Sequence, residues 1–173
     1  MTGKERRKQI IRELELAKNP VSGTVLAKKM GVSRQVIVQD MALLRATNKN
    51  IISTTRGYLL YKEDKNTVKR AFSVSHNHDA IREELYTIVD NGGKMLDVTV
   101  MHKVYGMITA ELIIRNRLEA DEFLKKLEEP TTVPMFTLTN GSHIHTVEAE
   151  SEEILDRIEQ ILREKEFLVE EKI

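Results

Sequence analysis

The stretch LAKKMGVSRQVIVQDMALLR, residues 26–45, determines how the first part of the chain folds. Two amphipathic segments meet at a Gly-Val-Ser sequence, and this spacing is typical of a helix-turn-helix. Gly31 allows the positive backbone φ that a sharp turn after a helix requires. Ser33 supplies a side-chain cap for the helix that follows. The stretch therefore predicts two short helices, over residues 24–30 and 34–46.

The flanking segments extend this unit. Residues 4–18 repeat apolar side chains at helical spacing, which predicts a first helix. Residues 51–61, IISTTRGYLLY, are rich in β-branched and aromatic residues and are interrupted by Arg56 and a glycine, as is typical of a hairpin. Three helices followed by a hairpin predict a winged helix-turn-helix DNA-binding domain over residues 1–62. A plain three-helix domain with a solvated face is the alternative.

The outward face of the predicted third helix carries residue types that read DNA. An arginine can bind guanine, and a glutamine can bind adenine, through two hydrogen bonds in the major groove. The expected contacts are base edges for Arg34, Gln35 and Gln39, phosphate for Ser33, and the DNA backbone or minor groove for Arg56 at the wing tip. The stretch 26–45 resembles the winged helix of biotin-repressor-type and DeoR-type bacterial regulators.

Charge is distributed unevenly along the chain. Residues 1–62 contain 13 Lys and Arg against 4 Asp and Glu, whereas residues 63–173 contain 14 against 23. A basic first third on an acidic remainder indicates two domains with different partners. The chain has no cysteine, which excludes disulfides and zinc-thiolate sites. Because no apolar run is long enough for a membrane span or a signal peptide, we expect a cytoplasmic protein without a membrane partner.

The rest of the chain alternates between helical and strand patterns. Residues 62–75 have the composition of a connector with a helical turn. Helices are predicted over residues 79–90, 121–129 and 152–165, and strands over residues 95–104, 107–115, 141–150 and 167–169. This order predicts an α+β sandwich with a mainly antiparallel sheet. The predicted domains are a winged helix-turn-helix (1–62), a connector (63–75) and a regulatory α+β domain (76–173).

All five histidines lie beyond residue 75. His143 and His145 are two apart on a predicted strand, so their side chains point to the same face and can bind one divalent cation. His76 precedes a predicted helix from which Glu84 projects, and both can face a site beside that strand. Two or three histidines with one carboxylate suit zinc, nickel, iron or manganese. Helix capping or plain exposure is the alternative for His76 and His78, and a solvated helix position is the alternative for Glu84.

Three blocks of sequence, ELYTIVDNGG, DVTVMHKVYG and LTNGSHIHT, resemble those of the three-histidine (3H) domain. In bacteria this domain follows a winged helix in nicotinate-responsive repressors of NAD biosynthesis and niacin uptake. Family members commonly have a proline after the middle histidine, where this chain has Lys103. The resemblance implies one divalent transition metal per chain, nickel or zinc. The implied ligands are His76, Glu84, His143 and His145, with His78 as the alternative to His76.

The resemblance also implies a regulator, not an enzyme, with nicotinic acid as corepressor. His102 and Tyr105, in the second block, are assigned to the effector pocket; a histidine that hydrogen-bonds the backbone is the alternative for His102. Each chain carries one predicted DNA-binding domain, so we expect a homodimer to bind an inverted repeat in double-stranded operator DNA. Three other functions use the same site. The first is a metal-responsive repressor, and the second is a small metal-dependent hydrolase with Asp79 or Glu83 as base. The third is a structural interaction module that a metal stabilises.

Overall fold

The computed structural model describes residues 1–47 and 50–169, and the chain forms two compact units, Met1–Glu63 and Asp64–Ile173. The first unit contains three helices and a two-stranded hairpin. The elements are α1 (Gly3–Leu16), α2 (Gly23–Met30), α3 (Arg34–Thr47), β1 (Ile51–Thr54) and β2 (Gly57–Leu60). This arrangement confirms the predicted winged helix-turn-helix.

Local sequence explains where these helices begin and end. Ser22 caps α2 by accepting a hydrogen bond from the N–H of Val25 at 3.2 Å, and Gly31 ends the helix with a φ of 65°. Ser33 caps the start of α3 in the same way. The first helix is shorter than predicted because the backbone at Ala17 is extended and ends α1.

The wing is held to the helices by a short strand pairing that the sequence pattern did not reveal. Val21 and Tyr58 exchange two backbone hydrogen bonds, of 2.8 and 2.9 Å. The close approach requires a glycine at position 57, because a Cβ on Gly57 would lie 2.4 Å from the carbonyl oxygen of Val21. Behind the wing, the helices share one aliphatic core that includes the fully buried Ile10 and Ile37.

The second unit is an α+β domain built on one four-stranded sheet. Its elements are β3 (Val68–Ser75), α4 (Ile81–Asp90), β4 (Lys94–His102), β5 (Gly106–Ile114), α5 (Arg117–Leu127), β6 (Ser142–Ala149) and α6 (Glu152–Glu164). The strand order is β3-β6-β4-β5, and every neighbouring pair is antiparallel. This confirms the predicted α+β class with an antiparallel sheet. Short 3-10 helices, His78–Ala80 and Met135–Thr139, precede α4 and β6.

Strand β3 corrects one prediction. We expected residues 62–75 to be a connector with a helical turn, but Val68–Ser75 is an edge strand that pairs with β6 along its whole length. The connector prediction is therefore wrong from residue 68 onward. Leu168 forms the isolated bridge to Val74 that closes this edge near the end of the chain. The predicted end of the regulatory domain at Ile173 lies outside the described residues.

The helices of the second unit pack around an aliphatic core. Leu85 and Ile88 of α4, Ile114 of β5, and Leu155 and Ile158 of α6 are almost completely buried within it. Helix α5 begins four residues earlier than predicted because an asparagine caps it. Within the two ranges that the structure describes, no helix combines the length and the apolar character needed to cross a membrane.

Candidate metal centre and nucleic-acid interface

Three histidines and one glutamate come from three neighbouring elements. His76 directly follows β3, and Glu84 lies in the first turn of α4. His143 and His145 lie on the buried face of β6, as the period of two residues in a strand requires. Because β3 and β6 are paired in register, with Val74 opposite His143, the end of β3 brings His76 beside the two strand histidines.

All three imidazoles point their Nε2 atoms at one carboxylate oxygen. The Oε2 atom of Glu84 lies 2.7 Å from Nε2 of His76, 3.4 Å from Nε2 of His145 and 3.6 Å from Nε2 of His143. The ligating atoms of His76, Glu84 and His143 all lie within 4.8 Å of one another. None of the four side chains is more than 6% exposed. The predicted ligand residues are thus brought together in one buried cluster.

The other nitrogen of each imidazole contacts a backbone carbonyl. A carbonyl oxygen only accepts hydrogen bonds, so each contact places the proton on Nδ1 and leaves the Nε2 lone pair facing Glu84. Hydrogen bonds of this kind orient ligand histidines in metal sites. The accepting carbonyls are Asn77 for His76, Gly141 for His143 and Asp97 for His145, at 2.8, 2.8 and 2.7 Å.

The donor set of this cluster fits a transition metal. When the rings are neutral and their protons are on Nδ1, three imidazole lone pairs and a carboxylate converge, and none of these groups has a hydrogen to share. The Oε1 atom of Glu84 is buried with no hydrogen-bond partner among the described residues. Burying a carboxylate without a partner is costly. A cation bound among the four groups removes this cost, and imidazole with carboxylate suits zinc or nickel.

In the metal-free protein, the same cluster binds protons. Burial disfavours the charged form of His76, but the hydrogen bond and charge of Glu84 outweigh burial and raise the pKa of His76 above its ordinary value. The same balance raises the pKa of His145. Burial opposes ionisation of Glu84 too, yet the charge of His145 and the three imidazole contacts hold the pKa of Glu84 well below its usual range. Metal and protons therefore compete for one site.

The remaining histidines of the second unit lie elsewhere. His78 is exposed in the 3-10 helix that precedes α4. His102 closes the turn between β4 and β5, where its Nδ1 accepts hydrogen bonds from the N–H groups of Val104 and Tyr105, each at 3.2 Å. Its ring stacks on Tyr105, which is 77% exposed. The structure does not bring His102 and Tyr105 to the metal ligands, and it gives His102 the backbone role considered as its alternative.

A cavity of about 180 Å³ opens onto the ligand cluster. The four ligand residues form its polar side. An engineered apolar cavity of about 150 Å³ holds benzene, so this space admits one six-membered ring. Every other lining residue is apolar, among them Leu85, Val98, Ala110, Leu112, Phe123 and Met135.

Two phenylalanines that the sequence motifs did not identify flank the imidazoles. Phe136 stacks on His143 with ring centroids 5.2 Å apart, and its edge meets His76 at 5.5 Å. Phe167 lies 5.3 Å from the ring of His76 on another side. These rings limit the access of water to the ligands, which strengthens electrostatic interactions inside the site.

In the first unit, α3 presents the residues predicted to read DNA. Arg34, Gln35 and Gln39 are exposed, while Ile37 and Met41 of the same helix are buried. Gln35 and Gln39 are one turn apart and face away from Ile37 and Met41, as the helical period requires, whereas Arg34 is exposed in the first turn of α3. Polar groups on the exposed part of a helix are of the kind that enters a major groove.

The two other predicted DNA contacts lie at the ends of this surface. Ser33 is exposed at the start of α3, where it also acts as the cap. Arg56 is exposed in the turn between β1 and β2, at the wing tip. Arg45 has a different role from its neighbours, because its Nε donates to the carbonyl of Ile51 at 3.2 Å and ties the wing to α3.

Comparison with known proteins finds a separate family match for each of the two units. Residues 6–59 match the model of an HTH domain, and residues 69–171 match that of the 3H domain. The chain is 46% identical over 167 residues to the "Probable transcription repressor NiaR" of Thermotoga maritima, covering 96% of this chain and 95% of that protein. It is 37% identical over 174 residues to the "Transcription repressor NadR" of Bacillus subtilis, covering 99% and 97%.

Proposed function

Because the chain belongs to the family of transcription repressors that combine an HTH domain with a 3H domain, we propose that it represses genes of NAD biosynthesis and niacin uptake. Nicotinic acid is the corepressor in this proposal. The observation that supports it most directly is the convergence of three imidazole Nε2 atoms on Glu84, beside a cavity with room for one aromatic ring.

One divalent metal, nickel or zinc, completes the site in this proposal. His76, Glu84, His143 and His145 hold it. When bound, the metal supplies a Lewis acid for the carboxylate of the effector. The backbone carbonyls that fix the three Nδ1–H groups keep the Nε2 lone pairs aimed at the site, and the flanking phenylalanine rings exclude water from it.

The proposal links this site to DNA through the chain itself. His76 directly follows β3, and β3 starts five residues after the first unit ends. Metal and effector bound at His76 would therefore act at one end of β3, the strand whose other end leads to the DNA-binding unit. A homodimer supplies two DNA-binding domains. A ligand favours whichever state it binds better, so effector binding favours the arrangement of these two domains that fits an inverted repeat.

Each residue on the reading surface has an assigned contact in this proposal. Arg34, Gln35 and Gln39 read base edges in the major groove, because their side chains are exposed in the first half of α3. Ser33 meets a phosphate at the start of the same helix, and Arg56 meets the DNA backbone or minor groove from the wing.

Operator affinity with and without nicotinate tests the proposal. The His143→Ala, His145→Ala double variant should purify without metal and should no longer respond to nicotinate, while the HTH core stays folded. A His78→Ala, His102→Ala double variant removes two histidines outside the cluster and should keep both metal and response. A metal-free double variant that retains the full nicotinate response would show that the metal does not form the effector site.

A metal-responsive repressor is the second candidate function. It is favoured by the observation that one chain brings three imidazoles and a carboxylate together without any group from an effector. In that case metal alone should shift operator affinity in nicotinate-free buffer. If nicotinate is required at saturating metal, the metal is a cofactor of effector sensing and this second function is rejected.

A further inference from the structure

We propose that the site selects aromatic monocarboxylates: the carboxylate binds at the metal ligands, the ring occupies the apolar cavity, and the pyridine nitrogen is not recognised. This inference rests on the proposed function, in which metal and effector share the site. It specifies how the effector is oriented in the site and which chemical class of effector binds, and a metal site alone determines neither.

The lining of the cavity decides the orientation. The four ligand residues are the polar part of the wall, and the remaining wall consists of residues such as Leu85, Val98 and Phe123. In the described chain this remaining wall has no side chain that donates a hydrogen bond. An effector bound through its ring nitrogen would place its carboxylate against this wall, where a charge has no partner. The reverse orientation puts the charge at the metal and the apolar ring against apolar side chains.

The size of the cavity restricts the ligand class. About 180 Å³ is slightly more than the space of about 150 Å³ that accommodates benzene in an engineered cavity. A ribose or phosphate attached to the ring would find no hydrogen-bond partner on the apolar wall. The site therefore favours a free ring acid over its nucleotides.

The same apolar wall leaves the ring nitrogen without a partner. A site built to hydrogen-bond a polar group can reject an analogue that lacks this group by about 10⁴-fold, because the protein's own polar group is then left unpaired. Here no such group faces the ring, so replacing the nitrogen by C–H leaves nothing unpaired. Benzoate should consequently bind about as well as nicotinate. Nicotinamide should bind poorly, because it lacks the negative charge.

A larger side chain at Ala110 can fill the cavity without changing any of the four proposed metal-binding residues. It lies on β5, opposite Val98 of β4 in the sheet register, and both line the cavity. Ala110→Leu places extra carbon atoms in the space assigned to the ring. Ala71→Leu is the matched control, because Ala71 is also on a strand but is exposed and does not line the cavity.

The experiment is titration calorimetry on the full-length protein loaded with zinc, with nicotinate, benzoate, nicotinamide and 2-naphthoate as ligands. We expect nicotinate and benzoate dissociation constants within about tenfold of each other, and nicotinamide and 2-naphthoate weaker by about 100-fold or more. Ala110→Leu should retain zinc by elemental analysis yet lose both ring acids, while Ala71→Leu should behave as wild type. The 2-naphthoate comparison tests the ring position in the unmodified protein if Ala110→Leu does not fold.

The outcomes separate this inference from the proposed function. If nicotinate binds and benzoate does not, the nitrogen is recognised and the inference is overturned, while nicotinate sensing stands. If 2-naphthoate binds as well as benzoate, or if a folded Ala110→Leu keeps wild-type affinity, the ring lies outside the cavity and the inference fails. If neither acid binds the zinc-loaded wild type, the proposed function itself fails.

Discussion

Glu84 has one buried carboxylate oxygen shared by three imidazoles and another with no hydrogen-bond partner among the described residues. Glu84→Gln keeps the size of the side chain but removes its charge. Because a neutral amide is a poor metal ligand, metal affinity should fall by at least about 100-fold. Competition with a chromophoric chelator measures this. His78→Gln, outside the cluster, is the control, and equal metal affinity in both variants would remove Glu84 from the ligand set.

The histidine pKa values give the pH dependence of metal binding a definite sign. The folded-state pKa values of His76 and His145 are raised, so in metal-free protein their protonation stabilises the fold fully below about pH 6.5, the unfolded value, and this contribution is lost as pH rises through the folded values. Metal needs the deprotonated rings. The gain in melting temperature from saturating zinc should therefore be larger at about pH 8 than at about pH 6. A gain that does not change with pH would contradict this competition.

The clustering of the proposed ligands could be predicted from sequence, but the groups that orient them could not. His143 and His145 share a face because a strand has a period of two, and this is visible without a structure. The carbonyl of Asp97 that fixes His145 comes from β4, 48 positions away, and only the sheet order places it there. Gly141 belongs to a quoted sequence block, but the sequence does not show that its carbonyl contacts His143 or that a Cβ there would lie 2.7 Å from the carbonyl oxygen of His76.

At the scale of elements, β3 was missed because of its charges. Its sequence alternates, with Phe72 and Val74 buried between exposed neighbours. Arg70 occupies the same inward face and therefore looked like part of a polar connector. In the fold its guanidinium reaches α6, where it donates to Glu152 and Glu159 at 2.7 Å each. A long-range ion pair of this kind cannot be read from a local pattern.

The recognition helix and the wing should respond differently to mutation. Arg34→Ala should weaken operator binding by roughly 1–3 kcal/mol and relax the preference at one base pair, because a two-point contact with guanine is lost. Arg56→Ala should weaken binding to all sequences alike and reduce the salt slope by about one unit, because a phosphate contact is lost. Binding titrations against an operator library at several salt concentrations measure both. If both variants weakened binding to all sequences equally, α3 would not be the recognition helix.

The attachment of α1 to α3 depends on one buried carboxylate. Asp40 is 3% exposed and accepts hydrogen bonds from Arg6 at 2.5 Å and Arg7 at 2.9 Å. Asp40→Ala should lower the free energy of unfolding by about 1–3 kcal/mol, because both arginines lose a partner but remain partly open to water. Glu13→Ala, in a surface pair with Lys29, should cost less than about 1 kcal/mol. Urea unfolding compares them, and equal losses would show that the α1–α3 contact does not need this carboxylate.

At the scale of the whole molecule, the charge pattern predicted the division of the chain. The basic residues concentrate before residue 63, and all histidines lie after residue 75. The structure gives each half its own hydrophobic core. The residues proposed to read DNA and those proposed to bind metal therefore belong to separate units. This explains why composition alone indicated two partners, whereas the sheet order that joins β3 to β6 required the structure.

Separate cores should give separate responses to metal. Every proposed ligand belongs to the second unit, and bound metal stabilises whichever unit it binds, by about 2.7 kcal/mol at a free concentration 100 times the dissociation constant. Scanning calorimetry of the full chain should therefore resolve two transitions, of which only one falls when zinc is removed with a chelator. The Asp40→Ala variant identifies the other transition, because it weakens the first unit alone. In the His143→Ala, His145→Ala variant, zinc should move neither transition. A single transition that shifts as a whole with both zinc and Asp40→Ala would mean that the two units unfold together, against the independence that their separate cores predict.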